Sequence, residues 1–97
     1  MRPDDATVHA LRADLAREIA RHVDRSGETQ AVAATRLRIP QPTLSRIVNG
    51  RVGGASLELL LRIAVRAGLQ VVLQTGMAPC EAGAYVVKER GRGRPTA

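Results

Sequence analysis

Apolar residues recur at three- and four-residue steps along the first quarter of the chain: Val8, Leu11, Leu15, Ile19 and Val23. Arg12, Asp14, Arg17, Glu18 and Arg21 fill the opposite side. This period predicts a helix over residues 7–25, with Asp5 or Thr7 placed to cap its start and Gly27 to stop it. Thr29 then offers an N-cap for a short helix over 30–37, where Ala31, Ala33 and Ala34 imply close approach to another helix, with Leu37 beside them. A turn, Arg38-Ile39-Pro40, leads into a third helix over 41–48 with Pro42 in its first turn, where a missing N–H is harmless. Leu44, Ile47 and Val48 form its inward stripe, and Asn49-Gly50 ends it, Gly50 suiting a left-handed cap.

Arg51 to Ala55 reads as a loop, and Ser56 caps a fourth helix over 56–67 whose Glu58 suits the N-terminal dipole. Leu57, Leu60, Leu61, Ile63 and Ala64 are its apolar residues, and Gly68 closes it. The period then changes to two. Leu69, Val71 and Leu73 alternate with Gln70, Val72 and Gln74, which predicts a strand over 69–75. A loop over 76–83, a second short strand over 84–88 and a flexible, basic, glycine-rich tail complete the expectation. The chain is thus expected to be mainly α, with four helices and one or two short C-terminal strands. Its folded unit is expected to span 1–75, with 76–97 as an appended loop and tail.

At 97 residues the chain has room for one modest core. Tyr85 is its only aromatic residue, so that core is aliphatic and stacking on single-stranded bases is not expected. A single cysteine, Cys80, cannot form an intrachain disulfide, which suits a reducing compartment. Neither a signal peptide nor the roughly 20 apolar residues of a membrane span is visible. A cytoplasmic protein is expected. His9, His22 and Cys80 have no zinc-site spacing, and no catalytic set or phosphate-binding glycine loop stands out, so neither enzyme, metal nor cofactor is expected.

Charge sharpens the picture. The net charge is +6, and residues 27–52 alone carry four arginines against one glutamate. Residues 1–26 balance five against five. A basic excess on the middle segment is the electrostatic footprint expected of a polyanion-binding surface. Fourteen of the fifteen basic residues are arginine, so base composition of the genome also contributes to this excess.

The strongest signal runs from Thr29 to Gly50. Two short helices joined by a tight turn, with small residues in the first and fixed apolar positions in the second, make a helix-turn-helix. The segment resembles the phage-repressor-like family of such domains (XRE, lambda-repressor-like) over about residues 28–75. The family's Thr-Gln start stands here as Thr29-Gln30, its buried small residue as Ala34, its recognition helix as QPTLSR over 41–46, and its closing Asn-Gly as Asn49-Gly50. Two positions depart from the pattern. Val32 replaces the glutamate that would complete a capping box, and Arg38 replaces the usual turn glycine.

The resemblance implies a lambda-repressor-like fold and a transcriptional regulator bound to double-stranded DNA, with the second helix in the major groove. Gln41, Pro42, Thr43, Ser45 and Arg46 are then the base-reading candidates. Gln41 is suited to adenine, Arg46 to guanine, and Thr43 and Ser45 to a phosphate or a thymine methyl. Gln30, Arg38, Asn49 and Arg51 are the phosphate candidates, Gln30 by its place at a helix N-terminus. Arg36 and Arg38 fit either phosphates or plain solvent. Residues 92–95, Arg-Gly-Arg-Pro, resemble the core of an AT-hook, so Arg92 and Arg94 are minor-groove candidates; a basic tail adding non-specific affinity is the alternative.

Residues 56–74 are similar to a subgroup rich in HigA-like antitoxins. That likeness implies an autorepressor of its own promoter with a RelE- or HigB-like toxin as partner. A stand-alone repressor and a protein-interaction module without DNA binding are the alternatives. A homodimer is expected in either regulatory role, because two-fold pairing places two recognition helices in grooves about 34 Å apart. The 69–75 segment, pairing with its mate or with 84–88, is the candidate interface.

Overall fold

A computed structural model describes residues 2–76, which form four helices. Helix α1 spans Pro3–Ser26, α2 Gln30–Leu37, α3 Gln41–Val48 and α4 Leu57–Arg66. Among the described residues no helix is long and apolar enough to cross a membrane.

Helix α1 begins earlier than its apolar period implied. Its N-cap is Arg2, which makes no side-chain cap bond, and neither Asp5 nor Thr7 serves as the cap. Pro3 sits in the first turn with its φ already helical, and Asp4 and Asp5 face the positive end of the helix dipole. Thr7 instead turns its hydroxyl back onto the Pro3 carbonyl at 3.0 Å. Gly27 ends the helix at φ 73°.

The core is aliphatic and continuous. Leu11, Leu15, Ala16, Ile19 and Val23 from α1 meet Ala33, Ala34 and Leu37 from α2, Leu44 and Ile47 from α3, and Leu60, Ile63 and Ala64 from α4. Helix α1 packs on both α3 and α4, while α2 packs mainly on α3. Of the three alanines of α2, Ala33 and Ala34 are the ones that make the close approach, and Ala31 lies exposed. Val8, at the outer end of the α1 stripe, is exposed at 42%, beyond the reach of the other helices. The loops add Ile39, Val52 and Ala55 to the core, which helical periodicity does not reveal.

Three of the helices end in one way. The amide after the left-handed residue bonds back to the carbonyl five positions earlier: Ile39 to Ala34 at 3.0 Å, Arg51 to Arg46 at 2.8 Å and Leu69 to Ala64 at 3.0 Å. This is the Schellman closure, which satisfies the orphan carbonyls of a helix end. Gly50 and Gly68 hold the left-handed position after α3 and α4, at φ 80° and 86°; after α2 it is held by Arg38, at φ 63°. Arg38 is the one non-glycine residue with positive φ among the described residues.

The expected strand over 69–75 is not seen. Residues 69–76 follow α4 in no regular element. A strand is defined by its ladder, and this segment has no ladder partner among the described residues. Leu69 and Val71 pack instead against the helical core. The second expected strand, 84–88, lies outside the described residues.

Candidate nucleic-acid interface

Helix α3 has two unlike sides. Leu44 and Ile47 are fully buried and fix it against α1 and α2. Gln41, Pro42 and Arg46 are exposed, and Thr43 and Ser45 are half-buried beside them. Pro40 is the N-cap and supplies no side-chain bond; its carbonyl accepts from the Thr43 and Leu44 amides at 3.0 and 3.2 Å. The helix is thus started by the backbone alone.

The supporting helix is anchored by Thr29, whose hydroxyl oxygen accepts from the Val32 amide at 3.2 Å. With valine rather than glutamate there, this is one half of a capping box. Gln30, the first residue of α2, is half-buried. Exposed Arg38 lies in the turn between α2 and α3, and exposed Asn49 and Arg51 follow α3. The Asn49 side-chain amide donates to the Ser45 carbonyl at 2.8 Å, so one of its two hydrogens is used to close the helix.

Thr43, Arg46 and Arg51 come together around a shallow depression, with Ile47, Gly54, Ala55 and Leu59 completing its wall. The start of α4 and the glycine loop before it therefore adjoin the exposed side of α3, a placement the sequence motif did not indicate. Ser56 secures that start by accepting from the Leu59 amide at 3.1 Å. Arg92 and Arg94 lie outside the described residues.

The arginines differ in what they meet. Arg17 pairs with Asp14, Arg21 with Glu18 at 3.1 Å, and Arg62 with Glu58 at 2.6 Å. Arg36, open in the sequence between phosphate contact and solvent, is held by Glu28 through Nε at 3.1 Å and Nη2 at 2.8 Å, and it also meets His22 Nε2 at 2.9 Å. Its guanidinium holds the Glu28 carboxyl below the usual carboxylate range. Burial, then the charges of Arg36 and Arg25, hold His22 below its ordinary value. Arg38, Arg46 and Arg51 have no acidic partner among the described residues. Cations uncompensated among the described residues thus flank both ends of α3 and lie on its exposed side, where a polyanion would meet them.

Two further arginines are tied to backbone. Arg12 of α1 donates through Nη2 to the Val52 carbonyl at 2.7 Å, with a longer approach to Gly53 at 3.5 Å. Arg66 of α4 donates to the Leu37 carbonyl at 3.0 Å. Neither partner lies near its arginine in sequence, so no local pattern marks either residue.

The family model described as "Helix-turn-helix domain" matches residues 1–75. A solved structure named "Putative XRE Family Transcriptional Regulator" superposes with a TM-score of 0.77 at 30% identity, covering 87% of this chain and 98% of its own. The comparison with curated proteins gives no match. A match over most of the sequence and a structural neighbour aligned over nearly its whole length agree with the arrangement of α2 and α3, and the chain belongs to the helix-turn-helix domain family in its XRE-like form.

Proposed function

We propose that this protein is a sequence-specific, double-stranded-DNA-binding transcriptional regulator. The observation that carries the reading is the two-sided α3: a buried Leu44–Ile47 anchor under an exposed Gln41, Pro42 and Arg46, with Arg38 and Arg51 at its two ends, unpaired among the described residues. In this reading Gln41, Pro42, Thr43, Ser45 and Arg46 meet base edges in the major groove, and Gln30, Arg38, Asn49 and Arg51 meet phosphates. The likeness to an XRE family transcriptional regulator supports it.

The finer role we propose is that of antitoxin and autorepressor, acting as a homodimer on its own promoter with a RelE- or HigB-like toxin as client. Its support is the likeness of residues 56–74 to the HigA-like subgroup. A stand-alone repressor would lack the client. Co-purification with the product of the adjacent gene separates the two.

The test of the main reading is fluorescence anisotropy of a labelled duplex from immediately upstream of the gene, against a scrambled duplex. The variant is the double substitution Gln41→Ala and Arg46→Ala. Wild type is expected to prefer its own duplex, and the variant to lose about 2–4 kcal/mol of that preference while keeping non-specific binding. Binding to neither duplex at low salt would overturn the reading.

A further inference from the structure

We infer that Arg12 and Arg66 are positioning residues of the DNA-reading helix: two basic side chains that fix the ends of the recognition unit through backbone carbonyls and do not touch DNA. The inference rests on the reading of α3 as the DNA-contacting helix. Arg66 reaches from α4 to Leu37, whose carbonyl ends α2 immediately before the left-handed Arg38. Arg12 reaches from α1 to Val52, just beyond the closure of α3 and next to the exposed Arg51. The two tethers therefore bracket α3, one at the entry turn and one at the exit loop, and each comes from a helix outside the helix-turn-helix.

The chemistry suits this task. A short helix of eight residues between two turns has little stability of its own and takes its orientation from what holds its ends. The Val52 carbonyl also accepts from the Ala55 amide at 3.0 Å, so Arg12 reinforces the acceptor that shapes the glycine loop. Arg12 Nε is buried and without a partner, a burial tolerated while the Nη2 bond holds. Both arginines are partly buried, unlike exposed Arg38, Arg46 and Arg51. Holding α3 in register before DNA arrives removes an ordering cost from specific binding. Non-specific binding, which rests on phosphate charge, gains less.

A phosphate contact and a tether leave different marks. Arg12→Met and Arg66→Met in the full chain remove the donors and keep the apolar stems. With the upstream and scrambled duplexes as probes, preference is expected to fall roughly tenfold in each variant while the salt slope stays at its wild-type value. Amide exchange is the second reading: the Ala55 amide should exchange faster in Arg12→Met, and the Ile39 amide in Arg66→Met. A salt slope lower by about one with preference intact would make these residues phosphate contacts and overturn the proposal. Unchanged preference and unchanged exchange would also overturn it. If a methionine variant fails to fold, Arg12→Gln or Arg66→Gln carries the same readings with a side chain too short to span the gap. Wild type indifferent to both duplexes, with exchange at Ala55 and Ile39 still accelerated in the variants, would overturn the DNA reading and leave the tethers standing.

Discussion

The outer faces of α1 and α4 and the surface around α3 are both rich in arginine, yet they differ in kind. Three cations on α1 and α4 lie one helical turn from an acid: Arg17 from Asp14, Arg21 from Glu18, Arg62 from Glu58. Such exposed pairs cancel locally and contribute little, typically about 0–1 kcal/mol. Around α3 the cations Arg38, Arg46 and Arg51 stand without acids among the described residues, and the backbone places them at the entry, the exposed side and the exit of one helix. The same residue type is thus acid-paired in one place and without an acidic partner among the described residues in the other. The difference comes from neighbours, not from composition.

The strongest way to break this contrast is from below. Leu44→Ala removes the fully buried anchor under the unpaired arginines and is expected to cost about 2–5 kcal/mol. Arg17→Gln, on the paired face, should stay within about 0.5 kcal/mol of wild type. Chemical denaturation of the two variants measures both. A Leu44→Ala protein as stable as Arg17→Gln would mean that α3 is not fixed by its inner side.

A smaller effect sharpens the contrast at Arg38. A left-handed φ of 63° is unfavourable for a residue with a Cβ, and Arg38→Gly should raise stability by about 1 kcal/mol. If Arg38 meets a phosphate, the same change lowers the salt slope by about one. Stability and DNA affinity then move in opposite directions, which denaturation and anisotropy on one sample will show. A gain in stability with an unchanged slope would remove Arg38 from the phosphate set.

The smallest effect concerns the cluster that neutralises Arg36. His22 lies below its ordinary value near 6.5 because burial and the charges of Arg36 and Arg25 disfavour its protonated form, Glu28 opposing weakly. Its contribution is therefore complete above that value and is lost as pH falls toward the folded-state value. Glu28 lies below its ordinary 4.5, through its bond from Arg36, so its contribution persists above 4.5 and is lost at more acid pH. Both act in one direction but in different windows: the thermal midpoint should fall on acidification from about pH 7 to pH 5 through His22, and fall further below pH 4.5 through Glu28. His22→Gln should flatten the first of these windows. A midpoint that rises on acidification would contradict the assigned direction.

Much of this architecture is legible in the residue pattern. The apolar stripes of Leu11, Leu15 and Ile19 and of Leu60 and Ile63 are set by helical period, and Thr29 and Ser56 are local caps with local partners. The exposed side of α3 follows from the burial of Leu44 and Ile47. Non-local structure is what periodicity misses. Ile39, Val52 and Ala55 enter the core from loops, where no period marks them. Arg12 and Arg66 find their carbonyls 40 and 29 residues away. The start of α1 had a signal, Pro3 before Asp4 and Asp5, which the apolar stripe overshadowed because it begins only at Val8. The alternation over 69–75 reports an apolar face without saying whether a ladder or a helical core covers it, and here Leu69 and Val71 lie on the core.

The most direct test of the central claim is the salt dependence of duplex binding in two charge-neutralised proteins, Arg38→Gln with Arg51→Gln and Arg17→Gln with Arg21→Gln. Both lose two cations, so net charge is matched. If the unpaired arginines around α3 are the DNA surface, the first protein loses about two from its salt slope and the second keeps the wild-type slope. Equal losses in the two proteins would contradict the account: the field would then belong to the whole molecule, and α3 would have no privileged place in binding.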